Sequence, residues 1–355
     1  MTAPLPVHDA AGVRWTEGDG PRLPRNYGDA AAEYRAALES AAVVDRCDRA
    51  LLRFHGRDPL RILQGMLTND VTLAAAERAV YAGLLTPKGR MLAELRVFRR
   101  PDDFLVELPA AALPEVADTF RRTIPPLFAR WEDVSAGWHM LGIYGPQAGV
   151  RLAALLGAQL PPAGIEDTAA FVPLGEQAGI VVSTRITGGD GYDVVAPTYA
   201  AESLWHDLVS AGVHPAGHAP LDVLRIEAGV PGWGAELTPE TIPLEAGLQA
   251  RAISTTKGCY TGQEVIVRIL HRGHVNWLLR GVLLGAAGGA SRGTPLLLPS
   301  SGKQVGRITS SAWSPRMDQE IALAYVRREV EPGAVLELAT SGGPVARVVE
   351  LPFVP

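Results

Sequence analysis

KGCYTGQEVIVRILHRGH, residues Lys257 to His274, is the stretch from which the rest of the chain can be read. It carries Cys259, one of the chain's two cysteines, and a marked helix start. Thr261-Gly262-Gln263-Glu264 has the pattern of a capping box, in which a threonine oxygen meets the N–H of the glutamate three residues on and the glutamate reaches back. Val265, Ile266, Val267, Ile269 and Leu270 then predict an apolar helix, with Arg268, His271, Arg272 and His274 supplying basic charge. Cys259 falls just ahead of the helix N-terminus and two residues after Lys257. The partial positive charge of a helix end and a nearby ammonium both favour thiolate over thiol. A reactive or metal-binding cysteine is expected in such a place; the plainer alternative is a small buried apolar residue.

The eight residues KGCYTGQE at 257–264, with Arg268 and Arg272-Gly273 behind them, resemble the signature of the YgfZ family of folate-binding proteins. That family is related to the glycine-cleavage T-protein, an aminomethyltransferase, and acts in iron–sulfur cluster maintenance. The resemblance implies an α+β, T-protein-like fold, with two mixed α/β folate-binding lobes around a central cavity and a small C-terminal β-barrel. It divides the chain into a loose N-terminal arm (1–26), a two-lobed folate-binding region (27–275) and the barrel (276–355). It also implies tetrahydrofolate or a one-carbon derivative as cofactor. The implied partners are the folate itself and iron–sulfur enzymes or assembly factors, such as those of radical-based tRNA modification. Cys259 and Lys257 become the candidate catalytic pair.

Bulk properties agree with such a protein. The 355 residues exceed one ordinary core, and 47% hydrophobic with 20% charged content is globular rather than disordered. A net charge of −5 gives no basic field for nucleic acid or anionic lipid. Two distant cysteines, Cys47 and Cys259, exclude a disulfide framework and a complete four-thiolate cluster site, and fit a reducing cytosol. Met1 to Pro24, rich in Pro, Gly and polar residues, reads as a loose arm without signal peptide or membrane span. Cys47 has no metal-ligand spacing around it and reads as structural; His206 and His214 read as surface histidines, and no metal site is expected.

Further along the chain, Leu51 to Gly56 predicts a strand, Asp58-Pro59 a capped helix start, and Thr68-Asn69-Asp70 its end. Val80–Thr86 and Met91–Arg99 predict a hairpin around Pro87-Lys88-Gly89-Arg90. On the second strand aminomethyltransferases carry two adjacent aspartates, the first assisting chemistry at the folate nitrogens. The matching positions are Ala93 and Glu94. Alanine exchanges no proton; Glu94 could substitute only if the strand slips by one residue, which would turn its buried face outward, and Glu94 is expected instead as a solvated strand residue. Trp138 to Tyr144 and Gly145-Pro146-Gln147-Ala148 repeat the strand, turn and helix order of the first unit. Ile186-Thr187-Gly188-Gly189-Asp190-Gly191-Tyr192-Asp193 resembles the family's folate loop, whose last acid grips the pterin. The resemblance therefore makes Asp193, with Tyr192 beside it, a cofactor contact; the alternative is a Gly-rich hairpin with a solvated aspartate. Arg225, in Arg225-Ile226-Glu227-Ala228-Gly229, is either a cavity arginine or half of a buried ion pair. Glu236 and Glu245 are either cavity carboxylates or turn caps. After Gly273, short apolar runs separated by Gly, Pro and Ser, among them Gly288-Gly289 and Gly342-Gly343, predict the barrel.

Three functions follow. One is a tetrahydrofolate-binding, YgfZ-like protein acting through the Cys259 thiol. Another is a folate-dependent aminomethyltransferase. The last is a scaffold that keeps the fold without the ligand.

Overall fold

Alternation along Met91–Arg99 sets up the first lobe: Ala93, Leu95 and Val97 point to one face, Glu94, Arg96 and Phe98 to the other. A computed structural model describes residues 3–10, 12–17, 22–284, 290–339 and 345–354. The turn readings at Gly288-Gly289 and Gly342-Gly343 lie outside the described residues. The Met91–Arg99 strand belongs to a five-stranded sheet, ordered Val80–Leu85, Met91–Arg99, Phe104–Pro109, Arg49–His55 and Arg130–Asp133. Helices Pro59–Met66 and Leu113–Thr123 cover one face, packing Leu63, Val116 and Phe120 on Leu52, Phe54, Leu95 and Val97. The opposite face meets the second lobe.

That second lobe is a six-stranded sheet, ordered Ala169–Leu174, Gln177–Thr184, Gly191–Pro197, Trp138–Tyr144, Ala42–Asp45 and His214–Ala216. The last two strands run parallel; the other neighbours are antiparallel. Helices Ala148–Leu156 and Thr198–Ser210 cover its outer face through Leu152, Leu204, Trp205 and Leu208. The inner faces of the two sheets share a core in which Leu51, Phe98 and Leu105 meet Met140, Ile180, Val182 and Val195. Where this apolar contact ends, charged residues on the same strands take over, and a cavity opens.

The C-terminal region is a closed barrel, ordered Trp277–Leu284, Gln319–Arg327, Gln304–Ser314, Pro295–Leu297, Val335–Leu338 and Val345–Val349. Closure leaves no strand edge open. The mixed lobes and small barrel are the expected fold class. The loose-arm reading fails for the N-terminal segment. Leu5 and His8 are buried, and Pro24–Asn26 is a strand paired with Arg14–Trp15. Asp45, itself buried, accepts hydrogen bonds from the Leu5 N–H (2.9 Å) and His8 Nε2 (2.7 Å), giving the polar segment a fixed dock that its composition does not reveal.

The capping box also does not form. The helix begins at Gln263, its N-cap is Gly262 at φ 84°, and no side chain caps it. Gly262 is wedged against the hairpin turn: a Cβ there would lie 2.6 Å from the Thr86 carbonyl oxygen. The close approach, rather than side-chain capping, decides where this helix starts.

A charged cavity as candidate functional site

Between the two sheets and the barrel lies a cavity of about 1680 Å³. Its floor is built from strand residues that alternate away from the helix-covered cores, joined by Arg46 and Asp48 from the turn between strands Ala42–Asp45 and Arg49–His55. Arg49 Nη1 donates to Glu94 Oε1 at 2.9 Å, and Arg49 Nε donates to Glu107. Arg96 Nε reaches the other Glu107 oxygen (3.2 Å), while Arg96 Nη2 donates to Asp193 Oδ2 (2.7 Å). Tyr144 OH donates to Asp193 Oδ1 (2.9 Å) and accepts from Arg46 Nη1 (3.0 Å). Arg46 also grips Asp48 with two hydrogen bonds, of 2.8 and 3.0 Å. Tyr81 OH donates to Glu94 Oε2; burial first, and the Glu94 charge second, push this phenol well above its ordinary range. Buried ions persist only when paired and hydrogen-bonded, and each ion of this floor has such a partner. Four carboxylates (Asp48, Glu94, Glu107, Asp193) face three guanidiniums (Arg46, Arg49, Arg96), leaving one negative charge in excess.

Glu94 is therefore not a solvated strand residue. Its side chain is 12% exposed, lines the cavity and is held from two sides. Its neighbour Ala93 is fully buried in the helix-covered core. Asp193 also lines the cavity. Tyr192 does not: one position along the strand it faces the other way, packs in the outer core and donates to the Pro161 carbonyl at 3.2 Å.

Arg225 lines the cavity and is also half of an ion pair. It donates to Glu236 Oε2 (2.7 Å), Asp222 Oδ1 (2.6 Å) and the Ser310 hydroxyl of the barrel (2.7 Å). Glu236 is fully buried beneath it, taking the Gly232 N–H (2.9 Å) and the Ser310 hydroxyl (2.6 Å) as well, and lies outside the cavity lining. Glu245 likewise caps a turn, accepting from the Ile242 N–H at 3.1 Å, and burial raises its carboxyl. The two glutamates thus hold the chain segment between the lobes and the barrel.

Lys257 and Cys259 lie outside the cavity lining. Lys257 Nζ donates to the carbonyl oxygens of Gln64 (2.7 Å), Leu67 (2.6 Å) and Asn69 (2.8 Å). These sit at and just beyond the end of helix Pro59–Met66, where carbonyls lack intrahelical partners. The lysine is a C-terminal cap delivered from a distant segment. Burial pushes its ammonium down to about 8, with Asp70 acting the other way. Cys259 is exposed, whereas Cys47 is buried and its thiol is raised by that burial and by Asp45. No group of three or more His, Cys, Asp or Glu side chains among the described residues is arranged to hold a metal ion. Nor is any described helix long and apolar enough to cross a membrane.

The sequence reading did not find Arg46, Arg49, Arg96, Glu107 or Tyr144. A signal was present: Arg96 and Glu107 interrupt runs that otherwise read as fully buried strands, MLAELRVF and FLVELP. A charge in such a run must find a partner or a cavity.

Comparison with known proteins bears on what this floor serves. Residues 5–257 match the family model described as the GCVT N-terminal domain. Residues 279–355 match the glycine cleavage T-protein C-terminal barrel domain. The chain is 34% identical over 348 residues to an aminomethyltransferase of Rubrobacter xylanophilus, covering 98% of this chain and 92% of that protein. It is 30% identical over 353 residues to an aminomethyltransferase of Moorella thermoacetica, covering 98% and 95%. In structure it resembles the glycine cleavage system aminomethyltransferase T of Bartonella henselae, with a TM-score of 0.87 at 23% identity, covering 98% of this chain and 96% of that one.

Proposed function

The chain belongs to the glycine cleavage T-protein family, and on that footing we propose that it binds tetrahydrofolate in the central cavity and carries out one-carbon transfer of the aminomethyltransferase kind. The observation that carries this reading is the pair of carboxylates Glu94 and Asp193 facing one cavity from different lobes. The residues fit a pterin. Asp193 spends one acceptor site of each oxygen on Tyr144 and Arg96, and a carboxylate has about four such sites, so it retains capacity for the N–H edge of a ligand. The cavity exceeds the roughly 300–1,000 Å³ of ordinary ligand pockets and leaves room for a second reactant.

Bound tetrahydrofolate would supply the nitrogen that accepts the one-carbon unit. This chain's own work is to orient it and to hold the proton released there. Glu94 is suited to holding that proton, because its two oxygens are fixed by Arg49 and Tyr81 and its side chain reaches open space. Ala93, at the position where the family's first aspartate stands, faces the wrong core for the purpose. General acid–base assistance of this kind contributes about 10²–10⁴-fold.

The test is to mix the protein with an aminomethylated lipoyl carrier and tetrahydrofolate and to follow methylenetetrahydrofolate. Turnover is expected. Its absence from protein that still binds folinic acid, followed by the fluorescence of Trp233 and Trp313 on the cavity wall, would remove the transferase reading and leave folate binding.

One observation favours a second reading. Cys259, within the YgfZ-like motif, is exposed and lies two residues from Lys257. A surface thiol outside the folate cavity suits contact with another protein, which is what action in iron–sulfur cluster maintenance requires. Cys259→Ser would then fail to rescue a strain deficient in that maintenance while folding and binding folinic acid normally. Full rescue by the variant would reject the thiol role.

A further inference from the structure

We propose that Arg96 is a specificity-determining residue of the cavity: with Asp193 it forms a donor–acceptor pair that selects a 4-oxo pterin and rejects its 4-amino analogue. The inference rests on the folate reading above.

Arg96 is anchored on two sides. Its Nε donates to Glu107 and its Nη2 to Asp193, and its side chain is 6% exposed. Its Nη1 makes no hydrogen bond among the described residues, although the side chain lines the cavity. A guanidinium offers five N–H donors in a fixed plane. Two of them are therefore left on the cavity side of a guanidinium whose other donors hold it in place, available to a ligand. Directly beside them, Asp193 keeps acceptor sites. The floor thus presents an acceptor and then a donor, fixed by Glu107 and Tyr144 behind them.

A 4-oxo pterin edge is the complement of that order. Its 2-amino group and N3–H are donors for Asp193, and its 4-carbonyl is an acceptor for Arg96. In a 4-amino pteridine the carbonyl is replaced by a donor and the N3–H is lost. Donor would then face donor across the Arg96 contact. Ring protonation, which would restore a donor for Asp193, would put a cation beside Arg96 and Arg46 as well, the latter 3.8 Å from Asp193. Sites built to hydrogen-bond a substrate group discriminate strongly against analogues lacking it, because the buried partner is left unpaired.

Folic acid and aminopterin differ only at this position, so they are the probes. Each is titrated into the full-length protein by calorimetry, with folinic acid as reference. Folic acid is expected to bind at least about tenfold more tightly than aminopterin. Arg96→Gln, checked for folding by near-ultraviolet circular dichroism, offers a carboxamide that can turn either its oxygen or its N–H₂ to the ligand, so the preference should shrink by at least about threefold, the N3–H contact with Asp193 sustaining the remainder. Arg96→Lys keeps a donor and the charge and should retain the preference. Equal affinities in the wild type, or an undiminished preference in Arg96→Gln, overturn the proposal and leave folate binding standing. Failure of all three ligands to bind the wild type overturns the folate reading itself. Should Arg96→Gln not fold, the wild-type ratio and Arg96→Lys still decide.

Discussion

At the scale of single residues, Ala93 and Glu94 are adjacent in the chain and opposite in environment. Ala93 is sealed in the helix-covered core of the first lobe, and Glu94 faces the cavity between Arg49 and Tyr81. Exchanging Glu94 for glutamine keeps the size and one acceptor oxygen but abolishes proton acceptance. Aminomethyl transfer by Glu94→Gln should fall by about 10²-fold or more, while folinic acid affinity changes only a few-fold. Steady-state assays beside a binding titration separate the two; equal losses in both would make Glu94 a binding group only. Strand alternation is readable from the sequence, and it puts Ala93 and Glu94 on different faces. What that sequence withholds is which face looks onto a cavity, since the partners of Glu94 are Tyr81 on the neighbouring strand and Arg49 two strands away. Asp193 is easier to find because a Gly-rich loop marks its strand; the same loop points to Tyr192, although a strand turns neighbours apart.

Among the elements, the contact between the Thr86–Arg90 turn and the helix Gln263–Arg272 shows how backbone approach overrides local capping signals. Gly89, at φ 71°, packs on Val265, and Gly262, at φ 84°, packs on the Thr86 carbonyl. Gly262→Ala brings both a disfavoured left-handed backbone, costing about 1–2 kcal/mol, and a steric conflict with main chain that has no rotamer to relieve it. Urea denaturation should register a loss of about 2 kcal/mol or more; a loss within about 0.5 kcal/mol, the usual range for a neutral surface change, would mean that the turn moves aside freely. In the same region Lys257 stands two residues from Cys259 in sequence, while its ammonium is engaged elsewhere. Lys257 is held by three carbonyls of the distant helix end, a tertiary contact that no local pattern encodes. The six barrel strands, by contrast, are legible because each is a short apolar run bounded by turn residues.

Over the whole molecule, buried acids hold separate units together. Glu227 accepts from Tyr34 of the second lobe (2.7 Å) and from Ser314 of the barrel (2.5 Å), and Glu236 joins Arg225 to Ser310. Asp45 does the same for the N-terminal segment. It takes His139 Nε2 (2.6 Å) on one oxygen, and His8 Nε2 and the Leu5 N–H on the other. His8 in turn accepts or donates at Tyr27 OH (2.9 Å) and sits edge-on to Trp205. Composition alone describes this segment as polar and Gly-rich, because the one carboxylate that orders it lies near forty residues away in sequence. Burial by itself would raise the Asp45 carboxyl, but hydrogen bonds from His139 and His8 outweigh it and hold the group well below its ordinary 3.8. A carboxyl lowered in the folded state adds stability that is complete above its unfolded value and is lost as pH falls below it. Melting temperature should therefore drop progressively below about pH 4. Asp45→Asn offers one acceptor oxygen where the carboxylate served three donors, so it should cost about 3 kcal/mol at neutral pH and show a flatter decline through the acid range. Parallel acid limbs for the two proteins would place the acid-sensitive carboxyl elsewhere, while a wild-type melting temperature indifferent to pH between about 5 and 2.5 would contradict the lowered Asp45 pKa itself.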